Sequence, residues 1–264
     1  MKYCRFQSDS GPQYGEVADR NGTLWIERLL PPPEEDPWVK VAEAAAFKPI
    51  PLDQAMLLPP VVPSKIVCIG RNYKEHAAEL GNEVPKEPLL FLKTPSSLIA
   101  HKQAIHKPAI SQRVDFEGEL AIVIGKRCTK IGREEDVRQY VRGYTIVNDV
   151  TARDLQKTDG QWSRAKGFDT FCPAGPIVTD EIDPDRGIQV QTRLNGELRQ
   201  DGNTRDLIFP IPFLLRYITA AITLYPGDLI PTGTPSGVAP MQPGDTVEVR
   251  IEGIGTLSNP VIVG

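Results

Sequence analysis

The stretch Asp115-Phe116-Glu117-Gly118-Glu119-Leu120-Ala121-Ile122-Val123-Ile124-Gly125 decides how the rest of the chain is read. Ala121 to Ile124 is an unbroken apolar run closed by Gly125, the pattern of a buried strand. Upstream the pattern alternates. Side chains two apart on a strand share a face, so Asp115, Glu117 and Glu119 are expected to project one way, and Phe116 and Leu120 the other. Three carboxylates on one face repel one another. A solvated strand end tolerates this, because water screens the charges. A pocket does not, unless a cation sits there or a carboxylate takes up a proton.

The chain around this stretch has 264 residues, which suits one large domain or one with a small appendage. Its net charge of −4 and the lack of a long basic run exclude a general nucleic-acid binder. The N-terminus, MKYCRFQSDS, has no apolar core of a signal peptide. The longest apolar segment, residues 209–225, contains Arg216 and two prolines, so no membrane span is expected. Cys4, Cys68, Cys128 and Cys172 are scattered without metal or redox spacing. A cytoplasmic protein with reduced cysteines is the expectation.

Upstream, residues 1 to about 30 read as a small β-unit, with Asn21-Gly22 as a hairpin turn. WVKVAEAAAF (38–47) reads as a short helix, and the proline-dense segment after it as an extended linker, with a domain boundary near Pro63. KIVCIG (65–70) is a short strand. Asn72 with Glu75 forms a capping-box pattern for a helix running to Leu80, with Gly81 as its stop. On that helix His76 and Glu79 are three apart and share a face. A carboxylate beside an imidazole orients the ring, as a general base requires. Arg71, at the strand-to-helix corner, suits a carboxylate ligand held by a two-pronged guanidinium. Lys93 could assist an anionic substrate, whereas His101 and His106 read as surface residues.

Downstream, EEDVRQYV (134–141) reads as helical, its acids in the first turn. GYTIVND (143–149) is a second buried strand ending in Asp149. If the next segment is helical, Asp149, Arg153 and Gln156 share a face. Lys166 sits among small residues, on the surface or close to a ligand. Asn195-Gly196 marks a hairpin, and a helix is expected around residues 212–223. The loop Gly233-Thr234-Pro235-Ser236-Gly237 can offer N–H groups and a hydroxyl to an anion, but lacks the lysine and length of a P-loop. Many short strands, three or four helices and no βαβ rhythm indicate a mostly β, mixed α+β sandwich or roll.

GRNYKEHAAEL, DFEGELAIVIG, GYTIVNDVTARDLQ, AKGFDTFCPAGP, LNGELRQ and GDLIPTGTPSGV occur in an order and at separations that resemble the fumarylacetoacetate hydrolase family over residues 63–264. Residues 1–62 look like the short N-terminal domain of bacterial members of the acylpyruvase and 2-hydroxyhepta-2,4-diene-1,7-dioate isomerase type. The resemblance implies a mixed β-roll, a homodimer, and a divalent metal on Glu117, Glu119 and Asp149, with Asp115 outside the ligand set. It implies a catalytic Lys166, substrate contacts from Arg153 and Gln156, a Thr234 hydroxyl near the reacting oxygen, and a His76–Glu79 pair on a mobile lid that activates water.

Three oxygen ligands without His or Cys suit Mg²⁺, with Mn²⁺ as a close second and Ca²⁺ as a substitute. The expected substrate is a small 2-oxo or 2-enol acid, or dicarboxylic acid, reacting through a pyruvate enolate stabilised by the metal and Lys166. Hydrolytic C–C cleavage of an acylpyruvate is the first expectation, since the HxxE pair supplies a water base. Decarboxylation of an oxaloacetate-like acid, or isomerisation in aromatic-acid catabolism, uses the same enolate. A metal-stabilised binding protein without activity is the reading from another class. The joint presence of His76, Glu79, Lys166 and Thr234 speaks against it.

Overall fold

A computed structural model describes residues 1–40, 47–79, 81 and 83–264. Its strands begin with β1 (Lys2–Ser8), β2 (Gly11–Arg20), β3 (Thr23–Leu30), β4 (Ile50–Pro51), β5 (Met56–Leu58), β6 (Ile66–Gly70), β7 (Leu89–Lys93), β8 (Leu98–Ile99), β9 (Ile105–Lys107) and β10 (Val114–Asp115). They continue with β11 (Gly118–Ile124), β12 (Val141–Asn148), β13 (Thr151–Ala152), β14 (Cys172–Thr179), β15 (Gln189–Leu194), β16 (Glu197–Asn203), β17 (Leu229–Pro231), β18 (Pro240–Met241), β19 (Thr246–Ile251) and β20 (Gly255–Val263). The α-helices are α1 (Lys74–Glu79), α2 (Arg153–Thr158), α3 (Ser163–Gly167) and α4 (Ile211–Ala221). This is the mostly β, mixed architecture expected. Among the described residues no helix is long and apolar enough to cross a membrane.

The apolar run of the opening stretch becomes β11, an interior strand of a twelve-stranded sheet with β12 on one side and β17 on the other. Both its faces are buried, which is why the run does not alternate. Leu120, Ile122 and Ile124 pack with Val190, Val249 and Leu257 of a second, five-stranded sheet and with Leu214 and Ile218 of α4. Ala121 and Val123 enter a separate cluster with Ile66, Val147 and Leu229 on the opposite face. Each aliphatic side chain buried in this way contributes roughly 1.5–3 kcal/mol. The two sheets approach closely at Gly118. A Cβ there would lie 2.2 Å from Thr192 Oγ1 and 2.9 Å from Val249 Cγ1, so a residue without a side chain separates the two glutamates.

Several expectations are corrected. Asp115 and Glu119 are not on one strand: Asp115 ends β10, in a small sheet with β13 and β18, and the chain changes sheets at Phe116–Glu117. Residues 134–141 form only a 3-10 turn at Val137–Tyr140, because Asp136 accepts from Arg138 N and the chain enters β12 at Val141. Asn72 does not cap α1. Its amide donates to the Phe209 and Thr232 carbonyls and accepts from Phe209 N, which ties the end of β6 to two distant segments. The proline-dense segment is packed rather than free: β5 pairs with β1, and Leu52, Leu57 and Val61 are buried. The helix expected at 38–47 falls largely on residues 41–46, and the end expected for α1 on Leu80; both lie outside the described residues. β1 also pairs with β14, so the N-terminal strands join the central sheet.

Candidate metal centre and pocket

Glu117 and Glu119 leave the start of β11, and Asp149 follows β12, its pairing partner. The Asp149 N–H donates to the Glu117 carbonyl at 2.8 Å, so the register of two core strands sets the cluster. A carboxylate oxygen from each of the three lies within 4.8 Å of the others, and all three side chains are buried. Asp115 stands apart, accepting from Arg113 Nε and Arg153 Nε at 2.9 Å each. It is thus a support for Arg153.

Buried cations surround the acids. Lys166, on α3, donates to Glu117 Oε2 at 2.8 Å and to Asp149 Oδ2 at 2.6 Å. Lys93, at the end of β7, donates to Asp149 Oδ1 at 2.7 Å and to the Val150 carbonyl at 3.2 Å. Arg153, at the start of α2, donates to Glu117 Oε1 and, at 2.8 Å, to Gln156 Oε1. The protonation pattern follows. Burial pushes Glu119 up, and the neighbouring Asp149 and Glu117 push it further, well above the usual carboxylate range. Burial also acts to raise Glu117, but Lys166, Arg153 and His76 outweigh it and hold that carboxyl well below its usual range. Burial acts to lower Lys166, but Asp149 and Glu117 overcome it, so Lys166 is an ammonium. Burial lowers His76, which leaves it a neutral imidazole at pH 7.

These three carboxylates fit a hard divalent cation. The donor set is oxygen only, and the repulsion that adds to burial in raising Glu119 is relieved by a cation among the three.

A single pocket brings together most of the residues expected from the sequence: Glu117, Glu119, Asp149, Lys166, Arg153, Gln156, Arg71, His76 and Thr234 all line it. Glu79 sits behind His76, its Oε2 3.4 Å from Nδ1, and accepts from the Gly237 N–H. The 233–237 loop is committed to the protein rather than open to an anion. Gly233 N donates to Glu119 Oε2 at 2.7 Å. Thr234 Oγ1 donates to the Gly118 carbonyl at 2.9 Å and accepts from Gln200 Nε2 at 2.8 Å. The Thr234 proton is therefore engaged, and the hydroxyl offers a ligand only a lone pair.

Sequence reasoning missed two parts of this site and misassigned a third. Lys93, expected to meet an anionic substrate, grips Asp149, and no spacing signals that, because the two meet only when β7 and β12 are folded. Phe91 and Trp162 form an aromatic wall, their rings 5.2 Å apart, with Lys166 Nζ 5.0 Å from the Phe91 ring and the Arg71 guanidinium 5.9 Å from Trp162. Gln200, in a plain hairpin strand, sets the direction of the Thr234 hydroxyl.

Residues 65–262 match the family model described as fumarylacetoacetate (FAA) hydrolase, C-terminal. The chain belongs to the fumarylacetoacetate hydrolase family. Among relatives within it, the oxaloacetate tautomerase YisK of Bacillus subtilis is 46% identical over 214 residues, covering 75% of this chain and 70% of the relative. The solved structure of a 2-hydroxyhepta-2,4-diene-1,7-dioate isomerase from Mycobacterium marinum is 39% identical with a TM-score of 0.86, over 100% of this chain and 98% of that one. Fumarylpyruvate hydrolase from Pseudomonas aeruginosa, solved with Mn²⁺ and pyruvate, is 31% identical with a TM-score of 0.72, over 80% of this chain and 93% of that one. Family members are thus enzymes with hydrolase, isomerase and tautomerase names, and this chain carries a buried acidic triad able to bind a metal ion.

Proposed function

We propose that this chain is a divalent-metal-dependent enzyme that moves a proton at C3 of a small 2-oxo acid, interconverting its enol and keto forms. The observation that carries this reading is the meeting of a neutral imidazole, His76, and a buried ammonium, Lys166, in one pocket with the three carboxylates. One group can take up or return the C3 proton, and the other can hold the charge that the proton leaves behind.

Glu117, Glu119 and Asp149 would hold the cation, Mg²⁺ first and Mn²⁺ second, which supplies Lewis-acid charge to the substrate's oxygens when bound. Lys166 donates to the oxygen on which negative charge develops. His76 Nε2 carries the proton between C3 and the C2 oxygen: it takes the proton from C3 as the C3–H electron pair becomes the C2=C3 bond and delivers it to that oxygen, and the reverse path restores the keto form, while Glu79 orients the ring through Nδ1 and is itself held by Gly237. Arg71, Arg153 and Gln156 orient carboxylate groups. The lone pair of Thr234 accepts from an enol hydroxyl. Phe91 and Trp162 keep water from the ammonium. The Bacillus subtilis relative's name describes a proton transfer of this class.

Hydrolytic cleavage of an acylpyruvate is the second reading, favoured by the Glu79 contact, which equips His76 to activate water. One experiment separates them. The purified protein with Mg²⁺ or Mn²⁺ is given enol-oxaloacetate and, separately, acetylpyruvate; enol absorbance and pyruvate are followed together. Faster loss of the oxaloacetate enol without pyruvate supports tautomerisation, and pyruvate from acetylpyruvate supports hydrolysis. Pyruvate from oxaloacetate points to decarboxylation instead. No acceleration of either substrate with either metal sinks both readings.

A further inference from the structure

The three carboxylates of the centre share a feature that their grouping does not require. Each is tied on one oxygen by a donor from a different element. Arg153 Nη2 donates to Glu117 Oε1, the Gly233 N–H to Glu119 Oε2, and Lys93 Nζ to Asp149 Oδ1. Of the other oxygens, Glu117 Oε2 and Asp149 Oδ2 meet only Lys166, and Glu119 Oε1 has no donor among the described residues.

The tethers are rigid. The Lys93 side chain is 0% exposed and carries a second bond to the Val150 carbonyl. The Arg153 guanidinium is fixed by Asp115 and Gln156. Gly233 has φ +107°, and Asn72 fills the space its Cβ would occupy, 2.7 Å away. A carboxylate binds a cation through both oxygens only if its plane can turn to present them together. A fixed donor on one oxygen opposes that turn, since turning breaks a buried charge-assisted bond. Mg²⁺ and Mn²⁺ accept one oxygen per ligand in an octahedral shell that leaves positions for substrate, whereas Ca²⁺ takes six to eight oxygens and recruits two-oxygen carboxylates.

We infer that Lys93 is a positioning residue for metal choice: with Arg153 and the Gly233 N–H it holds all three ligands to one oxygen each, so that the centre discriminates against Ca²⁺ in favour of Mg²⁺ or Mn²⁺. This rests on the metal reading above and not on which reaction the enzyme runs.

The test measures binding of MgCl₂, MnCl₂ and CaCl₂ by titration calorimetry to the full chain and to Lys93→Met, which keeps the side-chain volume and removes the donor. Loss of a buried positive charge favours every divalent ion alike, so the ratio of dissociation constants isolates the tether. The ratio Kd(Ca²⁺)/Kd(Mn²⁺) is expected to fall about tenfold in Lys93→Met. Infrared difference spectra give a second readout, whose wild-type arm needs no variant. Ca²⁺-loaded wild-type protein is expected to show the widely split carboxylate stretches of one-oxygen coordination, and Lys93→Met the narrower split of two-oxygen coordination. An unchanged ratio in Lys93→Met overturns the inference, and so does two-oxygen coordination of Ca²⁺ in the wild type. If Lys93→Met does not fold, the wild-type spectrum decides. Absence of any divalent binding overturns the metal reading and this inference with it. Binding without the ratio change overturns the inference alone.

Discussion

In the proposed mechanism Lys166 serves catalysis and stability with one atom. Lys166→Met removes the donor proposed to meet developing charge, so kcat is expected to fall about 10²- to 10³-fold. It also strips a buried partner from Glu117 and Asp149, which costs roughly 3–5 kcal/mol in the metal-free protein. Added Mg²⁺ should restore most of the lost Tm without restoring kcat. A scan with and without metal checks this, and a Tm deficit that metal leaves untouched would contradict the shared role. His76 gives a pH prediction. As the proposed base it must be neutral to accept a proton, and burial lowers its pKa below the ordinary 6.5, so kcat/KM should stay level down to pH 6.5 and decline only below it. A pH–rate profile with an acid limb above 6.5 would contradict the assignment. His101 acts on stability instead. Its Nδ1 accepts from Ser258 N at 3.0 Å, and burial, aided by Lys102, lowers its pKa to about 4. The unfolded chain therefore binds a proton more readily than the folded one between pH 6.5 and 4. That contribution is complete above 6.5 and is lost as pH falls through the window. Tm against pH should fall less steeply there in His101→Gln.

At the scale of elements, the 233–237 loop connects the parts of the site. It donates to Glu119 from Gly233, orients Thr234, and holds Glu79 of α1 from Gly237. Gly237 has φ +101°, and a Cβ there would lie 1.9 Å from the Arg199 carbonyl oxygen. Gly237→Ala should cost about 2 kcal/mol and loosen α1, seen as faster hydrogen exchange at residues 74–79 together with a lower kcat. Unaltered exchange in α1 would mean that the loop does not hold the helix. Elements with a local cause were legible in the sequence. β11 announced itself by its apolar run and β12 by GYTIVN, while the Asn21-Gly22 and Asn195-Gly196 turns fixed two hairpins. The buried acidic cluster of Glu117, Glu119 and Asp149 was reached through motifs. Elements decided by distant partners were not legible. Asn72 has the sequence of a cap, yet its amide binds residues 209 and 232. Residues 134–141 have helical composition but form only a 3-10 turn before the chain enters β12. Lys93 resembles any lysine at a strand end until Asp149 arrives beside it.

The whole molecule is organised by one large sheet that includes the N-terminal strands through the β1–β14 pairing at Lys2–Thr179 and Tyr3–Val178. The Arg142–Glu35 and Lys2–Glu181 ion pairs reinforce that seam. Calorimetry should therefore record one cooperative transition, and two separated transitions would show that residues 1–62 melt independently. Removal of residues 1–62 would expose the β14 edge, and the shortened chain is expected to aggregate. The interior position of β11 carries a consequence in time as well as in space. Residues 121–123 are paired with neighbours on both sides, so exchange there requires the sheet to open around them. The strand that carries Glu119 cannot fray ahead of the rest. On heating, the half-life of activity should equal the half-life of the native chain, with no earlier, partially folded but inactive phase: the centre is as durable as the protein that holds it.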